Sequence, residues 1–383
     1  MSFQGLAEEV KEILRRGVHE PLPAQTFNDL AVRIFRFQCR SNRAYGGFVA
    51  RRGVSPEKVT RWEEVPLLPT RAFKSTALVS GDLEDVEQVF RTSGTTRGPK
   101  GRGEHHVVDL GLYRESLLPN FKANLLPEEG EKTRVLCLLP SSASVPDSSL
   151  SFMMGEVVRV LGGEGSGFFV GSDGEIDGKE FRKSLAAAER GPDPVLVVGT
   201  AFAFVRWMEM AEEDGWLTCL PKGSRVMETG GYKGRSKELP RADFYRALEG
   251  AFGVPESRIV NEYGMTELLS QFYEPVLVGV QGAKSPRKGI SPMALADRYH
   301  RGPPWVRSRV LDPLTLETLT LGEVGVLAHL DLGNLGSVAA VVTEDLGREV
   351  PGGFQLLGRI PGSEPRGCSL AMEDFLASQG VES

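Results

Sequence analysis

The sequence has few cysteines, no excess of basic residues and no long apolar run. The four cysteines among its 383 residues, Cys39, Cys137, Cys219 and Cys368, are far apart, which argues against a disulfide framework or a structural zinc site. A formal net charge of −6 and scattered arginines argue against a nucleic-acid surface, because phosphate binding needs clustered basic residues. No apolar run approaches the roughly 20 residues that span a bilayer, and no signal segment is recognisable. We therefore expect a reduced, soluble, cytoplasmic protein.

The remaining composition, 40% hydrophobic and 25% charged, is that of an ordinary globular protein. Apolar residues at helical spacing predict helices in the first 60 residues. Strand candidates follow in VEQVFRTS, TRVLCLLPSS, PVLVVGT, SRVMETGG and SRIVNEYG, and helical stretches separate most of them. This alternation predicts an α/β fold with a largely parallel sheet covered by helices on both faces. From about Gln281 the sequence is turn-rich and β-branched, which predicts an antiparallel region.

One stretch, RTSGTTRGPKG at residues 91–101, combines small hydroxyl residues, glycines and a lysine directly after a strand candidate. Backbone N–H groups and hydroxyls on such a loop can converge on an anion, and lysine adds a mobile charge. The spacing differs from that of a Walker loop, and no helix signal follows directly. The alternative interpretation is a surface turn rich in glycine and threonine.

Five stretches resemble, in the expected order, the motifs of the adenylate-forming superfamily of acyl-CoA synthetases, adenylation domains and luciferases. They are TSGTTRGPKG, METGGYKG, NEYGMTE, VVTEDLG and LGRI, between residues 92 and 360. Within that superfamily the chain looks most similar to the LuxE-like acyl-protein synthetases. WEEVPLLPTRAFKS, LPSSASVPDSSLSFMMGEV and GSEPRGCSLAMEDF fit that subgroup.

The resemblance implies the fold and its division. We expect an adenylate-forming large domain over residues 1–355, with mixed and parallel sheets flanked by helices. Its parts are a helical N-terminal region (1–80), an α/β region with the nucleotide and acyl site (81–280) and a β-rich region (281–355). Residues 356–383 are expected to form a hinge and a shortened C-terminal arm.

The resemblance also implies ATP and Mg²⁺ as cofactors. The residues implied to bind the nucleotide are Thr92, Ser93, Gly94, Thr95, Thr96, Lys100, Gly230, Gly231, Tyr232, Glu262, Tyr263, Gly264, Met265, Thr266, Asp345 and Arg359. In this scheme Tyr263 stacks on adenine, Thr266 bonds the α-phosphate and Asp345 takes the ribose hydroxyls with help from Arg359. Glu267 binds Mg²⁺, because a carboxylate next to a triphosphate needs a bridging cation. The alternatives are a core aromatic for Tyr263, a carboxylate at a helix N-terminus for Glu267, and solvated loop charges for the other two.

For the acyl side of the site, the resemblance points to the pair His105 and His106, of which we select His105. The stretch GTAFAFVRWMEM supplies Phe202, Phe204 and Trp207 as candidate lining for an apolar tail. The alternative is that these aromatics belong to the core and that the histidines are exposed. Lys74, the lysine of TRAFKS, has no assigned role beyond facing solvent.

Lysine is absent after Lys288 in this sequence, and only 24 residues follow Arg359. In full-length members of the superfamily a lysine of the C-terminal domain neutralises the charge that develops during adenylation. We therefore expect that charge to come from Lys100, Arg97, another arginine or a partner subunit. Arg97 stands where the superfamily usually keeps glycine, and we interpret it as a partial replacement for the lysine.

Cys368 is the candidate acyl acceptor, in the position of the self-acylation cysteine of LuxE-like enzymes. Arg366 and the start of a short helix near Ala371 are expected to lower its pKa. The alternative is a buried, inert cysteine, which we assign to Cys39, Cys137 and Cys219.

The predicted reaction converts a carboxylic acid, ATP and Mg²⁺ to an acyl-adenylate and pyrophosphate. The acyl group then passes to Cys368 as a thioester, or to a partner acyl-CoA or acyl-protein reductase. The catalytic candidates are Cys368, Lys100, Thr266 and Arg97. One alternative is an aryl- or short-chain acyl-CoA ligase that resembles the phenylacetate-CoA ligases. Another is a non-catalytic nucleotide-binding subunit.

Overall fold

The computed structural model describes residues 2–93, 101–127, 132–230, 239–277, 293–360 and 366–380. The α-helices in these ranges are α1 (Phe3–Arg16), α2 (Ala24–Ser41), α3 (Arg43–Arg51), α4 (Leu110–Leu125), α5 (Ser149–Leu161), α6 (Gly178–Glu189), α7 (Ala201–Glu213), α8 (Arg241–Phe252) and α9 (Arg366–Ser378). The strands are β1 (Leu68–Pro69), β2 (Gln88–Arg91), β3 (Glu104–Val107), β4 (Arg134–Leu138), β5 (Gly167–Phe168), β6 (Val195–Thr200), β7 (Arg225–Thr229), β8 (Ile259–Tyr263), β9 (Phe272–Tyr273), β10 (Val306–Leu311), β11 (Val324–Asp331), β12 (Ala340–Val350) and β13 (Gly353–Arg359).

Helix boundaries follow local capping chemistry. The Thr200 hydroxyl accepts a hydrogen bond from the Ala203 N–H at 3.1 Å and so caps the start of α7 directly after β6. Helix α8 ends at Gly253, whose φ of +66° lies in the left-handed region that favours glycine. These capping residues mark where helices begin and end between the strands, in the alternation that the sequence predicts.

The chain divides into two compact units that are interleaved in sequence. The first contains Met1–Asn120, Met265–Gln271 and Tyr299–Ser383, and the second contains Phe121–Gly264 and Phe272–Arg298. The expected division into consecutive regions is therefore not the division that the contacts give. The boundary falls inside the NEYGMTE motif, between Gly264 and Met265.

The second unit is built on a six-stranded sheet in the order β5-β4-β6-β7-β8-β9, parallel except for the antiparallel β8–β9 pair. Apolar runs such as VLVVG in β6 are buried, as expected for strands covered on both faces. Helices α5 to α8 lie between its successive strands in the chain. The carboxyl ends of the parallel strands lie at one edge of the sheet. The residues that follow Thr200, Thr229 and Tyr263 lie at this edge.

The first unit contains the sheet β1-β12-β11-β10, with β13 also paired to β12. Its main strands are antiparallel, whereas β1 runs parallel to β12. The N-terminal helices α1 to α3 and the terminal helix α9 belong to the same unit, and α9 packs on α3 and β1.

The α/β fold class, the N-terminal helices, the largely parallel sheet and the late antiparallel region are confirmed. One strand differs from expectation, because VEQVF forms β2, which pairs with β3 in a separate antiparallel ribbon. The sequence analysis did not predict α5. Arg359, expected in a hinge, ends a strand instead. None of the helices in the described ranges has the length and apolarity needed to cross a membrane.

Candidate active site

The anion-binding loop is closed at its base by Thr92 and Gly103. The Thr92 N–H donates to the Gly103 carbonyl at 2.9 Å, and the Gly103 N–H donates to Thr92 Oγ1 at 2.8 Å. The guanidinium Nε of Arg102 also donates to the Thr92 carbonyl. Ser93 is exposed at the start of the loop. The other predicted phosphate contacts in this loop lie outside the described residues: Gly94, Thr95, Thr96, Arg97 and Lys100.

The candidate adenine residues follow two neighbouring strands of the second unit. Thr229 of β7 pairs with Glu262 of β8, so that Gly230 and Tyr263 come next at the same edge of the sheet. Gly230 has a φ of +67°, a conformation that glycine adopts without strain. The ring of Tyr263 is buried and packs on Phe272. Gly231 and Tyr232, assigned to the same subsite, fall outside the described ranges.

Below this edge lies a pair of buried carboxyl groups that the sequence analysis did not fully anticipate. The Thr229 hydroxyl donates to Glu262, and the side chain of Glu228 accepts from the Tyr245 hydroxyl at 2.9 Å and from Asn261 Nδ2 at 2.6 Å. Burial raises the pKa of Glu228 and of Glu262 to about 7. A glutamate within the apolar stretch RVMET was the available signal for Glu228.

The segment that carries Thr266 and Glu267, Met265–Gln271, is held in the first unit by side chains that bond its backbone. His105 Nδ1 lies 2.6 Å from the Thr266 carbonyl, and Asn334 Nδ2 donates to the Glu267 carbonyl at 2.9 Å. Further along the segment, the contacts are Leu269 N–H to Asp331 Oδ2 at 3.2 Å, Ser270 Oγ to Asp331 Oδ1 at 2.9 Å, and Asn120 Nδ2 to the Gln271 carbonyl at 2.8 Å. These bonds fix the backbone of Thr266, a predicted catalytic residue, and of Glu267, the predicted metal ligand.

The position of His105 corrects the expectation that it contacts the acyl acid. Its ring is 1% exposed, and its Nε2 lies 2.9 Å from Asn334 Oδ1 while Nδ1 faces Thr266. Burial lowers its pKa to about 4, so the imidazole is neutral at pH 7. Each ring nitrogen faces an acceptor within the protein, of which the neutral imidazole donates to one, and the residue is in place to position the Thr-Glu segment.

Glu267 is a buried carboxyl group with charged neighbours in the same unit. Burial raises its pKa to about 7, and the positive charges of Arg359 and Lys74 oppose this rise. The carboxylate therefore gains from a bound cation when it ionises. No cluster of three potential metal-ligating side chains exists among the residues described. A single carboxylate is the donor set that Mg²⁺ uses when substrate phosphates and water complete its octahedron, so the site fits that ion.

Asp345 and Arg359, predicted to act together on the ribose, are partners in the first unit. They face each other in the β12–β13 register, and Arg359 Nε lies 3.1 Å from Asp345 Oδ1. The backbone N–H of Asp345 donates to Thr343 Oγ1 at 3.0 Å. The guanidinium is largely exposed, so the pair presents both a carboxylate and a cation to solvent.

The candidate acyl lining is only partly available to a ligand. Phe204 and Trp207 are fully buried in the core cluster of the second unit. The Trp207 ring packs edge-on against Phe181 with centroids 4.6 Å apart, and Phe204 packs on Phe252. These contacts correct their assignment to the substrate pocket. Phe202 is half-buried, and its role stays a prediction.

Cys368 lies near the start of α9 and is buried against apolar residues of the sheet of the first unit. Its neighbours there are Leu311, Val326, Ala328 and Val342. Burial raises the pKa of the thiol to about 11, and the charge of Glu344 adds to the rise. The expected lowering of this pKa is thus wrong for the docked helix. The thiol here has the environment of the alternative interpretation, a buried cysteine.

Comparison with known proteins places these features in a family. The model of the family described as acyl-protein synthetase, LuxE, matches residues 23–377. A curated relative, the long-chain-fatty-acid–luciferin-component ligase of Aliivibrio fischeri, is 26% identical over 360 residues, covering 89% of this chain and 86% of the relative. The protein of the same name from Vibrio harveyi is 23% identical over 388 residues, covering 97% and 94%.

Among solved structures, a 2-hydroxyisobutyryl-CoA ligase in complex with 2-HIB-AMP and CoA matches with a TM-score of 0.57. The match has 14% sequence identity and covers 89% of this chain and 72% of that one. It shows that the two proteins share their fold.

Proposed function

The chain belongs to the LuxE family of acyl-protein synthetases, and on that premise we propose that it activates a fatty acid with ATP and Mg²⁺ and transfers the acyl group to a thiol. The observation that carries the proposal is the gathering, in one unit, of elements from three distant parts of the chain. These are the base of the anion loop, the Thr-Glu segment, and the two paired strands that bear Asp345 and Arg359. Fatty acid as the substrate is supported by the names of the two curated relatives.

In the first step, an oxygen of the substrate carboxylate attacks the α-phosphorus of ATP. A new O–P bond forms, the bond from the α-phosphorus to the oxygen bridging to the β-phosphate breaks, and pyrophosphate leaves with the electron pair. Thr266 bonds the α-phosphate, while Asp345 and Arg359 orient the ribose. Catalysis is mainly a matter of positioning and charge neutralisation, since two anions must meet. Glu267 would hold Mg²⁺, which neutralises phosphate charge when bound.

In the second step, a thiolate attacks the acyl carbonyl carbon, a C–S bond forms and AMP leaves as the C–O bond breaks. Cys368 is our candidate for this thiol. In the docked helix its Sγ lies 3.8 Å from the Thr343 carbonyl and is 5% exposed. Acyl transfer to Cys368 therefore requires that α9 leave its site on the sheet and that the thiol lose its proton.

An acid–CoA ligase is the second candidate, and the fold shared with 2-hydroxyisobutyryl-CoA ligase favours it. That reaction ends on free CoA and needs no thiol of this chain. A reductase that accepts the acyl group from Cys368, and a cytoplasmic location, stay predictions. So does the third alternative, a nucleotide-binding subunit without activity.

The test is to incubate the protein with ATP, Mg²⁺ and fatty acids of different chain lengths, and to measure its intact mass with and without hydroxylamine. We expect a hydroxylamine-labile acyl adduct that disappears in Cys368→Ser and persists in Cys219→Ser, which removes a thiol that is exposed and not buried as the sequence predicted. Pyrophosphate release without an adduct, together with thioester formed only when CoA is added, would favour the CoA ligase. ATP binding without pyrophosphate release from any acid would contradict both.

A further inference from the structure

Lys74 is an exposed lysine at the end of a short 3-10 helix, Thr70–Lys74, in the first unit. In the described part of the chain its ammonium group forms no ion pair and no hydrogen bond. Arg71, one turn earlier, differs in this respect because its Nε lies 3.0 Å from Glu344 Oε1. The charge of Lys74 is therefore available to an anion from outside the protein.

The backbone of this helix is held from two sides by the candidate active site. On one side the preceding strand β1 pairs with Val341 and Val342 of β12, shortly before Asp345. On the other side the buried ring of Phe73 packs edge-on against the ring of His105, with centroids 5.7 Å apart. Since His105 bonds the Thr266 carbonyl, the position of Lys74 is coupled to the Thr-Glu segment.

The side chain of Lys74 lies next to the base of the anion loop. A Cβ at Gly103 would meet Lys74 Cγ at 3.4 Å and Thr92 Cγ2 at 3.2 Å. Glycine at 103 thus leaves the space through which the aliphatic part of the lysine passes, and Gly103 and Thr92 are the residues whose hydrogen bonds close the loop. The side chain of Lys74 therefore extends from beside Thr92 and Gly103, which close the base of the predicted phosphate loop.

The ammonium group also acts on Glu267. Against the effect of burial, its positive charge and that of Arg359 lower the pKa of this carboxyl group. The base of the loop thus lies beside a lysine that has no ion pair among the residues described.

We propose that Lys74 is a catalytic residue of adenylation, whose ammonium neutralises the substrate carboxylate and the α-phosphate oxygens as they approach each other. The inference rests on the proposed function. The lysine transfers no proton. It stabilises the transition state more than the separate reactants, because the negative charges converge only there. Its stretch, TRAFKS, fits the LuxE-like subgroup, but the role proposed here depends on contacts with residues far away in the chain.

The experiment compares Lys74→Ala and Lys74→Arg with the control Lys58→Ala. Lys58 is likewise an exposed lysine at the end of a 3-10 helix, Pro56–Lys58. Fatty-acid-dependent ATP–pyrophosphate exchange reports adenylation alone. We expect Lys74→Ala to lower kcat for exchange about 100-fold, within the range found when one donor to a developing anion is removed, with a change in KM for ATP of less than about 10-fold.

Three further readouts separate catalysis from structure. Lys74→Arg should retain most of the activity because the charge is kept. Affinity for a fatty acyl sulfamoyl adenosine, a stable analogue of the adenylate, should change by less than about 10-fold, because binding of a formed product does not bring two anions together. Thermal unfolding of Lys74→Ala and Lys58→Ala should match that of the unsubstituted protein, since exposed positions contribute little to stability.

Exchange by Lys74→Ala within about 3-fold of the unsubstituted protein would overturn the inference, as that is less than about 0.7 kcal/mol of transition-state stabilisation. A variant that differs only by binding Mg²⁺ more tightly would also overturn it, because Lys74 would then act on Glu267 alone. A loss of exchange accompanied by a lower Tm would assign Lys74 a structural role. If the unsubstituted protein shows no exchange with any fatty acid, the proposed function itself fails, and the inference fails with it.

Discussion

Arg359 faces Asp345 across the β12–β13 pair, and its Nε is 3.1 Å from the carboxylate. The Arg359 side chain is 75% exposed and that of Asp345 only 14%. An ion pair with one exposed partner contributes little to stability. We therefore expect the carboxylate and the guanidinium to serve ligand binding.

Replacing Asp345 with Asn is expected to raise KM for ATP about 10- to 100-fold, because charge-assisted hydrogen bonds to the ribose contribute about 1.5–3 kcal/mol. Steady-state exchange kinetics measure this. Arg359→Ala should raise KM less and leave Tm unchanged. Arg246→Ala is the control, because it removes another surface arginine paired with an aspartate, Asp243, at 3.0 Å. Equal effects of the three changes would contradict the ribose assignment.

For Glu267, the pKa of about 7 predicts a pH dependence with a definite sign. Its ordinary value is 4.5, so burial favours the neutral form in the folded protein. The stability that this group contributes is complete below pH 4.5 and is lost as the pH rises toward 7. At pH 8 we expect the free energy of unfolding of Glu267→Gln to be about 1–3 kcal/mol higher than that of the unsubstituted protein. We also expect the variant to be inactive. Denaturant unfolding at pH 4.5 and pH 8 tests the sign; an equal effect at the two pH values would contradict it.

Proton competition at the same carboxyl group predicts weaker Mg²⁺ binding in acid. Below pH 7 the apparent affinity for Mg²⁺ in the presence of ATP should fall by up to about 10-fold per pH unit, since the metal and the proton compete for one site. Isothermal titration at pH 6, 7 and 8 measures it. Glu267→Gln should abolish this slope, and retention of the slope in the variant would place the metal elsewhere.

His105→Phe is expected to lower both Tm and the exchange rate. Phenylalanine keeps the ring that packs against Phe73, but it removes the single N–H that the neutral imidazole donates to one of its two neighbouring acceptors, the Thr266 carbonyl or Asn334 Oδ1, at about 1–3 kcal/mol. The control is His106→Phe, at the next position of β3, where the ring Nε2 lies 3.7 Å from Glu104 Oε2. If the two variants catalyse ATP–pyrophosphate exchange at equal rates, the contact between His105 and the Thr-Glu segment has no role in activity.

The docked helix α9 is expected to protect Cys368 from alkylation. Phe375 is fully buried on α9 and packs on Phe48, so Phe375→Ala should weaken docking. We expect iodoacetamide to label Cys368 at least about 100-fold faster in that variant, because buried Phe→Ala changes cost about 3–5 kcal/mol. Labelling of the exposed Cys219 provides the internal reference. Equally fast labelling of both cysteines before substitution would show that the helix is not docked in solution.

Much of the fold was predictable from the sequence because it rests on local patterns. VLVVGT is a continuous apolar run that ends in a helix-capping threonine, and such a run fits a strand buried on both faces. Aromatic spacing was less informative. Phe204 and Trp207 lie on one face of α7 at a separation of three residues, and this pattern is the same whether the face lines a pocket or packs in a core.

The unpredicted part of the candidate site depends on contacts between residues far apart in the chain. His105 and Thr266 are 161 positions apart, and no local signal indicates that one bonds the other. For Cys368 the neighbouring Arg366 and the start of a helix predicted a lowered pKa, whereas Leu311 and Val326, on other strands, decide its burial. Local patterns report secondary structure well, but the electrostatic environment of a side chain is set by its neighbours in space.

The interleaving of the two units sets the order in which they can be completed during synthesis. Everything in the second unit has been translated once the ribosome passes Arg298, whereas the first unit also needs β10 to β13 and α9 from Tyr299–Ser383. The N-terminal helices must wait for these strands, and long-range pairing of this kind is slow. In a stalled nascent chain whose residues up to 298 have left the ribosome, the parallel sheet should therefore resist protease. Helices α2 and α3 should remain open to cleavage.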